Sequence, residues 1–383
     1  MSGPAHVEPG LPTATRRNSR QDAAELAARA GHDISPEGGG KTRAEVTPEQ
    51  EPGLEVVADL SSGSSATTLL CRREGRLFYR KFVFGEDKDR LFAQTEHLIH
   101  LAQAGVPVTP ILEVLRDEAH CRYDMPYRAD AVDFFTYLHT HTPGQNRARL
   151  VTILDALVAS VHADALPATP EAIDSYIRNK IVARVETLLG APILAPILAA
   201  ESLVVNGIRL PGLTGLAGLL EPARLRELLA HDKCARVHGD LTVENIVCCE
   251  GEGASSGFYL IDPNGGNLLD TPLLDYAKLL QSFHGGYEFL VRVGKVSVRA
   301  EHRVAEVDFP GFISPAYARL QADLDGYLRL HLSESELTSA YLHEAVHWLR
   351  LMPYKLRSDP ARAPVFYAAL VRALHTVARR VGW

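Results

Sequence analysis

The sequence predicts an α+β fold in two lobes, a small lobe rich in β-strands followed by a larger lobe that is mainly helical. Short apolar runs separated by turn residues fill residues 54–125, with one amphipathic helical pattern among them. From residue 129 onward, apolar residues recur mostly at helical spacing. Exceptions are a hairpin signal at Asn206-Gly207 and expected helix breaks near Pro353 and Pro360. We therefore expect a flexible N-terminal tail at residues 1–50, a β-rich lobe at residues 51–126 and a helical lobe at residues 127–383.

The prediction of a tail rests on composition. Residues 1–50 are rich in Pro, Gly, Glu, Arg and Ser and contain no aromatic residue, so they offer little apolar surface to a core. A regulatory or partner-binding role for this segment is the alternative.

Turn residues divide the small lobe into five expected strands and one helix. The strands are predicted at residues 54–60, 66–72, 77–84, 111–116 and 120–125, and the helix at residues 87–104.

Composition and charge are those of a globular protein and exclude some classes of partner. The 383 residues carry a formal net charge of −7 without a basic stripe, so nucleic acid is not an expected partner. No stretch is long and apolar enough to span a bilayer, and no apolar signal region begins the chain, which predicts a cytoplasmic protein without a membrane contact. The five cysteines lack metal-type spacing and are expected to be reduced, buried thiols.

The chemistry concentrates in one polar stretch, residues 237–247, flanked by apolar strands. It contains Asp240 and Asn245, and a second acid, Asp262, ends the next predicted strand. The Gly- and Ser-rich connection at residues 250–257 suits a hairpin, which would return Asp262 to the end where Asn245 lies. One carboxylate placed to deprotonate a hydroxyl, together with hard oxygen ligands for Mg²⁺, is what phosphoryl transfer requires.

The order His238-Gly239-Asp240, then Asn245, a strand pair and Asp262, resembles the aminoglycoside phosphotransferase and choline kinase family of small-molecule kinases. The Asp-to-Asn spacing is also that of the protein-kinase catalytic loop, but Gly239 stands where those enzymes carry Arg. The resemblance implies a protein-kinase-like fold, ATP and Mg²⁺ as cofactors and a small-molecule acceptor as partner. It implies that Asp240 is the catalytic base and that Asn245 and Asp262 are metal ligands.

The kinase-like pattern also assigns a nucleotide site in the small lobe. Lys81, in the third predicted strand, would reach the α- and β-phosphates, and Glu96 on the helix would hold it. A solvated strand lysine and an exposed helix acid are the alternatives. Arg80 should point to the opposite face from Lys81, so that one of the two faces solvent. The predicted nucleotide-binding residues are Ser62, Gly63 and Ser64 over the phosphates, Lys81, Glu96, and Met125 and Tyr127 at the hinge beside adenine.

Two residues are expected to support the catalytic loop from behind. Asp275, in Asp275-Tyr276-Ala277, matches the second half of the family pattern Asp-Pro-x-x-Asp-Leu-Ala, whose second Asp braces the loop. His238 is assigned a structural role in the same loop.

Two further groups of residues are candidates for contacting the acceptor. His284, Tyr287 and Glu288 form a polar and aromatic cluster just beyond the site, and a helix end broken by two glycines is the alternative. Three residues of the C-terminal region, His343, His347 and Arg350, share one helical face and could line a substrate pocket. A solvated or capping face is the favoured alternative for them.

The sequence therefore predicts an ATP- and Mg²⁺-dependent phosphotransferase that acts on a hydroxyl of a small molecule. Acidic clusters suited to cationic aminoglycosides are not obvious after Asp275, which favours a sugar-like, antibiotic or secondary-metabolite acceptor. An aminoglycoside or amino-alcohol kinase is the alternative within this class. Gly239 and the absence of an Ala-Pro-Glu segment argue against a protein kinase, and the retention of the catalytic acids argues against a silent nucleotide-binding module.

Overall fold

The computed structural model describes residues 51–61, 66–250, 256–311 and 314–383. The expected tail at residues 1–50 and the expected phosphate-facing turn at Ser62, Gly63 and Ser64 lie outside the described residues.

A five-stranded antiparallel sheet forms the small lobe. Its strands follow the chain order β1 (Leu54–Asp59), β2 (Thr67–Arg73), β3 (Arg76–Phe84), β4 (Glu113–Arg116) and β5 (His120–Pro126). Their order across the sheet is β1-β2-β3-β5-β4. Helix α1 (Lys88–Gln103) covers one face, where Leu91 and Leu98 pack against Val83 and Tyr123. The predicted strands and helix of this lobe are confirmed to within two residues at most ends.

Buried charges occupy the other face of this sheet and correct one expectation. Arg80 and Lys81 point to opposite faces as expected, but neither faces solvent, since they are only 4 % and 6 % exposed. The Arg80 guanidinium donates to both carboxylate oxygens of Asp124, each at 2.8 Å, and also pairs with Glu51. These carboxylates offset the cost of removing the guanidinium from water.

A short three-stranded sheet at the junction of the lobes carries the polar stretch. Strand β6 (Ala131–Asp133) begins the second lobe and pairs with β11 (Ile246–Cys249), which pairs in turn with β12 (Phe258–Leu260). The predicted hairpin is thus present, and Asn245 immediately precedes its first strand. Asp262 follows its second strand after one residue, and the Ile261 amide donates to the Asn245 carbonyl at 3.0 Å.

The second lobe is mainly helical. Its helices are α2 (Phe134–Thr140), α3 (Pro143–Ala159), α4 (Pro170–Tyr176), α5 (Ala183–Leu189), α6 (Ala195–Leu198), α7 (Leu213–Leu216), α8 (Pro222–Leu229), α9 (Leu273–Phe283), α10 (Tyr287–Leu290), α11 (Pro315–His331), α12 (Glu334–Ser358) and α13 (Ala363–Arg380). A π-helical segment, Ile177–Val182, joins α4 to α5. Helix α12 begins at a capping box of Ser333 and Glu336 and contacts both α9 and α13, so it runs through the lobe core.

Two β features lie among these helices. Strands β7 (Leu166–Pro167) and β10 (Lys233–Cys234) form a minimal pair, and a four-stranded sheet has the order β13-β14-β8-β9. Its strands are β8 (Ser202–Val205), β9 (Ile208–Pro211), β13 (Ser297–Glu301) and β14 (Val304–Asp308). The predicted Asn206-Gly207 hairpin joins β8 to β9, with both residues at positive φ as a type I′ turn requires.

The C-terminal region departs from the expected pattern in two places. Strands β13 and β14 lie in a lobe that is mainly helical, as expected, and every residue of β13 is exposed, so that strand shows no apolar alternation. Helix α12 continues through Pro353, where a break was expected, and ends only at Ser358. Within the described ranges, no single helix is long and apolar enough to cross a membrane. One bent pair, Pro170–Leu189 with Pro192–Leu198, meets that test by length and composition only.

Replacing Asp124 by Ala tests the buried charge network of the small lobe. The change leaves Arg80 buried with Glu51 as its remaining ion-pair partner, and removing one partner of a buried pair costs about 3–5 kcal/mol. Chemical denaturation should show a fall of that order in the free energy of unfolding. The control is Asp89→Ala, which removes a surface ion pair with Arg116. Its free energy of unfolding should fall by less than about 1 kcal/mol. Similar losses in both variants would contradict this account.

Candidate active site

The polar stretch lies in a cleft of about 1080 Å³ that is lined by both lobes. The small lobe contributes Lys81 from β3 and Gln94 from α1, and the second lobe contributes Asp240, Asn245 and Asp262. The cleft therefore brings together the three predicted chemical groups of the second lobe and the predicted lysine of the first.

The backbone of the loop around Gly239 accepts only glycine. Gly239 has a φ of +78°, and a Cβ atom there would lie 2.0 Å from the Asn264 carbonyl oxygen. The neighbouring His238 is fully buried; its Nε2 donates to the Ile261 carbonyl at 2.9 Å, and its own carbonyl accepts from the Asn264 amide at 2.8 Å. Burial holds the pKa of His238 below its usual range, so the imidazole is a neutral part of the loop. These contacts tie the loop to the segment that follows β12.

The carboxylate of Asp275 lies beneath the same loop and is completely buried. It accepts hydrogen bonds from the backbone amides of Gly239 (2.7 Å) and His238 (3.0 Å), and His162 Nε2 lies 3.1 Å from it. Burial alone would raise the pKa of Asp275, but the bond to His162 and the nearby imidazole and amide dipoles outweigh it and lower the pKa. Asp275 therefore stands where the sequence pattern placed a brace.

Asp240 is held by two side chains. The Lys278 ammonium lies 2.9 Å from its carboxylate, and the Asn245 side-chain amide donates to its backbone carbonyl (2.7 Å) and its carboxylate (3.3 Å). Burial would raise the pKa of Asp240, but Lys278 outweighs this and holds the pKa below its usual value. Lys278 was not among the residues predicted from the sequence; it lies on α9 one turn after Asp275 and is brought to the loop by the same helix.

Asn245 and Asp262 present a donor set that suits Mg²⁺. The Asn245 amide nitrogen is used by Asp240, which leaves its side-chain oxygen for a cation. Asp262 has a φ of +55° and borders the cleft, and its carboxylate lies 2.7 Å from the Lys81 ammonium. No group of three or more His, Cys, Asp or Glu residues surrounds a common point in the described part of the chain. One carboxylate and one amide oxygen match Mg²⁺ sites that are completed by phosphates.

Gln94, and not Glu96, contacts Lys81. The Gln94 side-chain oxygen accepts from the Lys81 ammonium at 3.2 Å, and its nitrogen donates to the Pro263 carbonyl at 2.9 Å. Glu96 is exposed on α1 and makes no ion pair with Lys81, so its assignment is corrected. Residues two positions apart on a helix are about 200° apart, and Gln94 is the one that shares a face with the buried Leu91.

The hinge region presents aromatic side chains. Met125 is buried near the end of β5, and the Tyr127 ring lies 5.6 Å from the ring of Tyr79 on the neighbouring strand. Tyr79 precedes Lys81 by two residues and therefore faces the same side of the sheet. Neither Met125 nor Tyr127 borders the large cleft itself.

Of the three candidate acceptor contacts, only Tyr287 borders the cleft. His284 instead pairs with the buried Glu344 at 2.8 Å. Glu288 is completely buried and accepts from the Ser282 hydroxyl at 2.7 Å, which in turn accepts from the Val243 amide at 3.3 Å. Neither His284 nor Glu288 borders the cleft, so these two candidates are not placed to contact an acceptor there.

The helical face of His343, His347 and Arg350 is not solvated, contrary to the favoured expectation. His343 is buried, with Asp232 at 2.7 Å from Nε2 and the Tyr176 hydroxyl at 2.9 Å from Nδ1. His347 is 3 % exposed, and both His347 and Arg350 border the cleft.

Comparison with known proteins shows the fold. No family model matches the chain, and no curated protein matches its sequence. The crystal structure of aminoglycoside phosphotransferase APH(4)-Ia is similar with a TM-score of 0.50 at 13% identity, over 85% of this chain and 96% of that chain. A candidate fructosamine-3-kinase from Haemophilus somnus 129PT has a TM-score of 0.48 at 12% identity, over 84% and 91%. A spectinomycin phosphotransferase, APH(9)-Ia, solved with ADP and spectinomycin, has a TM-score of 0.42 at 10% identity, over 85% and 93%. The chain thus has the bilobal fold of the aminoglycoside phosphotransferases.

Glu288 should make stability depend on pH. Burial raises its pKa to about 7, so the folded protein holds a proton between pH 4.5 and 7 that the unfolded chain has lost. Stability therefore falls as pH rises through this window, by roughly 3 kcal/mol in full. Glu288→Gln removes the cost of ionising a buried carboxyl group, so the variant should be more stable than the parent at pH 8 but not at pH 4.5.

Denaturant titrations of both proteins at the two pH values measure this difference. The control is Glu301→Gln, an exposed acid on β13, which should show no pH-dependent difference. An equal difference between Glu288→Gln and the parent at both pH values would show that burial does not raise the pKa of Glu288.

Proposed function

We propose that this protein, which has the fold of small-molecule phosphotransferases, transfers the γ-phosphoryl group of ATP to a hydroxyl of a small molecule. One observation carries the proposal: Lys81, Asp240, Asn245 and Asp262 line a single cleft between two lobes. Each has the chemistry that one part of phosphoryl transfer needs, namely a phosphate-binding cation, a base and two metal ligands.

Asp240 receives the proton in the proposed reaction. Its side chain is 36 % exposed, so an acceptor hydroxyl can reach it from the cleft. The acceptor O–H bond breaks and its proton passes to the Asp240 carboxylate, while the oxygen bonds to the γ-phosphorus. The bond from that phosphorus to the bridging oxygen breaks, and ADP leaves with the electron pair. Lys278 and Asn245 hold the Asp240 carboxylate in one orientation, so that it is already aligned with the acceptor hydroxyl when the acceptor binds.

Asn245 and Asp262 would hold Mg²⁺, which neutralises charge on the phosphates when it is bound. Lys81 is placed to contact the same phosphates. Its partner on α1 is the neutral amide of Gln94 and not a carboxylate, so α1 positions the ammonium without neutralising it. The full positive charge of Lys81 then remains for Asp262 and the nucleotide.

The aromatic pair at the hinge is the proposed site of the base. Tyr79 faces the same side as Lys81, and its ring is tilted 54° to that of Tyr127. Stacking of a base on an aromatic ring is worth about 1–3 kcal/mol. The backbone of Met125 or Tyr127 would supply the polar contact to the adenine edge, because Pro126 has no N–H.

Replacing Asp240 by Asn should separate transfer from nucleotide binding. The amide cannot accept the proton, so turnover should fall by about 10²–10⁴-fold, whereas affinity for MgATP should be nearly unchanged because Asp240 is not a phosphate ligand. ADP release with sugars, nucleosides, amino alcohols and aminoglycosides, checked by the mass gain of one phosphoryl group, measures the first quantity. Calorimetry measures the second.

The matched control is Glu244→Gln, which removes an exposed carboxylate that borders the same cleft. It should keep most of the turnover. Full turnover in Asp240→Asn would refute Asp240 as the base.

Replacing Lys278 by Gln should move the acidic limb of the pH–rate profile to higher pH. Lys278 is what keeps the pKa of Asp240 low against the effect of burial, so without it the base is protonated at a higher pH. The profile of kcat/KM against pH measures the shift. Lys295→Gln, at an exposed lysine, should leave the profile in place. An unshifted limb in the Lys278 variant would mean that another group sets it.

A further inference from the structure

Positive charge dominates the part of the cleft that lies beyond Asp240. The lining residues there include Lys278 from α9 and Arg350, Lys355 and Arg357 from the last turns of α12. Apart from the catalytic acids, the lining carboxylate of the second lobe is Glu244, which pairs with Arg292 at 3.4 Å. This end of the cleft therefore carries more cations than its own acids neutralise.

Arg350 is the most informative of these cations. It is half-buried, and no carboxylate of the described residues lies within ion-pair distance of its guanidinium. Its charge helps to lower the pKa of Asp240, and it also lowers the pKa of Lys180, which burial lowers first. Arg350 thus lies near two other positive groups, Lys180 and Lys278, with Asp240 as the nearby anion.

Like charges that gather in a partly buried position repel one another, and the repulsion is costly unless a ligand offsets it. Lys180 also lies on the π-helical segment Ile177–Val182, a form of helix that is common at functional sites. Lys278 and Arg350 thus bring positive charge into the cleft beside the proposed base.

A second observation comes from His347, at the same end of the cleft. The residue is 3 % exposed, and its Nε2 makes no hydrogen bond within the described part of the chain. Burial, followed by the charges of Lys278 and Arg350, holds the pKa of His347 well below its usual range. The neutral ring bonds to the Leu274 backbone, and its Nε2 remains an unused hydrogen-bonding atom next to the cations, which suits a polar ligand.

We propose that the acceptor carries an anionic group, a carboxylate or a phosphate, in addition to the hydroxyl that Asp240 deprotonates, and that this anion binds Arg350 beside Lys278. The inference rests on the proposed function and names the substrate class of the same site. A guanidinium binds either anion through two parallel hydrogen bonds, which fixes the orientation of the ligand as well as its charge. Polycations such as aminoglycosides would meet like charges at this end of the cleft and are disfavoured.

Matched monosaccharides test the charge preference. Galactose is neutral, galacturonate adds a carboxylate, galactose 1-phosphate adds a phosphate, and galactosamine adds a cation. With MgATP, kcat/KM for ADP release, confirmed by product mass, should be at least about tenfold higher for one of the two anionic sugars than for galactose, and lowest for galactosamine. The anionic sugar with the higher kcat/KM shows whether the site prefers a carboxylate or a phosphate.

Variants of Arg350 test its role in the preference. Arg350→Ala should remove the advantage of the anionic sugar and leave the KM for MgATP unchanged, while Arg350→Lys should keep part of the advantage because it keeps the charge. The matched control is Arg178→Ala, at an exposed arginine on the same π-helical segment as Lys180, which should keep the full preference. Thermal melts confirm that each variant is folded.

The two proposals can fail separately. If MgATP binds but a neutral or cationic sugar is the best acceptor, or neither anionic sugar reacts or stabilises the complex with Mg–AMP-PNP, the inference about the acceptor is overturned and the nucleotide site stands. A raised KM for MgATP in Arg350→Ala with an unchanged sugar preference would also overturn it, since Arg350 would then serve the nucleotide. Absence of MgATP binding in the parent protein contradicts the proposed function itself.

Discussion

The buried carboxylate of Asp275 is the interaction on which the arrangement of the site depends. An ionised group without solvent contact is stable only when its oxygens are satisfied, and here two backbone amides and His162 satisfy them. Those amides belong to His238 and Gly239, so the same bonds fix the turn that precedes Asp240. Because the brace and Lys278 lie one turn apart on α9, one rigid helix sets both the path of the loop and the ion pair of its acid.

The site also depends on how the two lobes, one a β-sheet and one mainly helical, place side chains in the cleft between them. The hairpin of β11 and β12 brings Asn245 and Asp262 together, and β3 holds Lys81 across the cleft from them. Helix α12 supplies cations to the cleft, whereas the polar stretch and the hairpin supply the acids Asp240 and Asp262, so the basic and acidic side chains come from separate elements. This separation of charge is the physical basis for assigning nucleotide and acceptor to different parts of one cavity.

The features that the sequence predicted well are those with local signals. The spacing of Asp240, Asn245 and Asp262, the hairpin between them and the Asn206-Gly207 turn all depend on residues close in the chain. The features that it missed depend on tertiary packing: Lys278 meets Asp240 across 38 positions, and Glu288 is buried only because helices enclose it. Gln94 could have been found from its helical face, which it shares with buried leucines, whereas the exposed strand β13 lacks the alternation that marks a strand.

Calorimetric titration with Mg–AMP-PNP tests the central claim, that this cleft is a magnesium-dependent nucleotide site, without knowledge of the acceptor. We expect saturable binding in the presence of Mg²⁺, much weaker binding when the metal is chelated, and weak binding with or without metal in Asp262→Ala, because that carboxylate is the proposed anionic ligand. Equal affinity with and without Mg²⁺, or a parent protein that binds no nucleotide, would contradict the account.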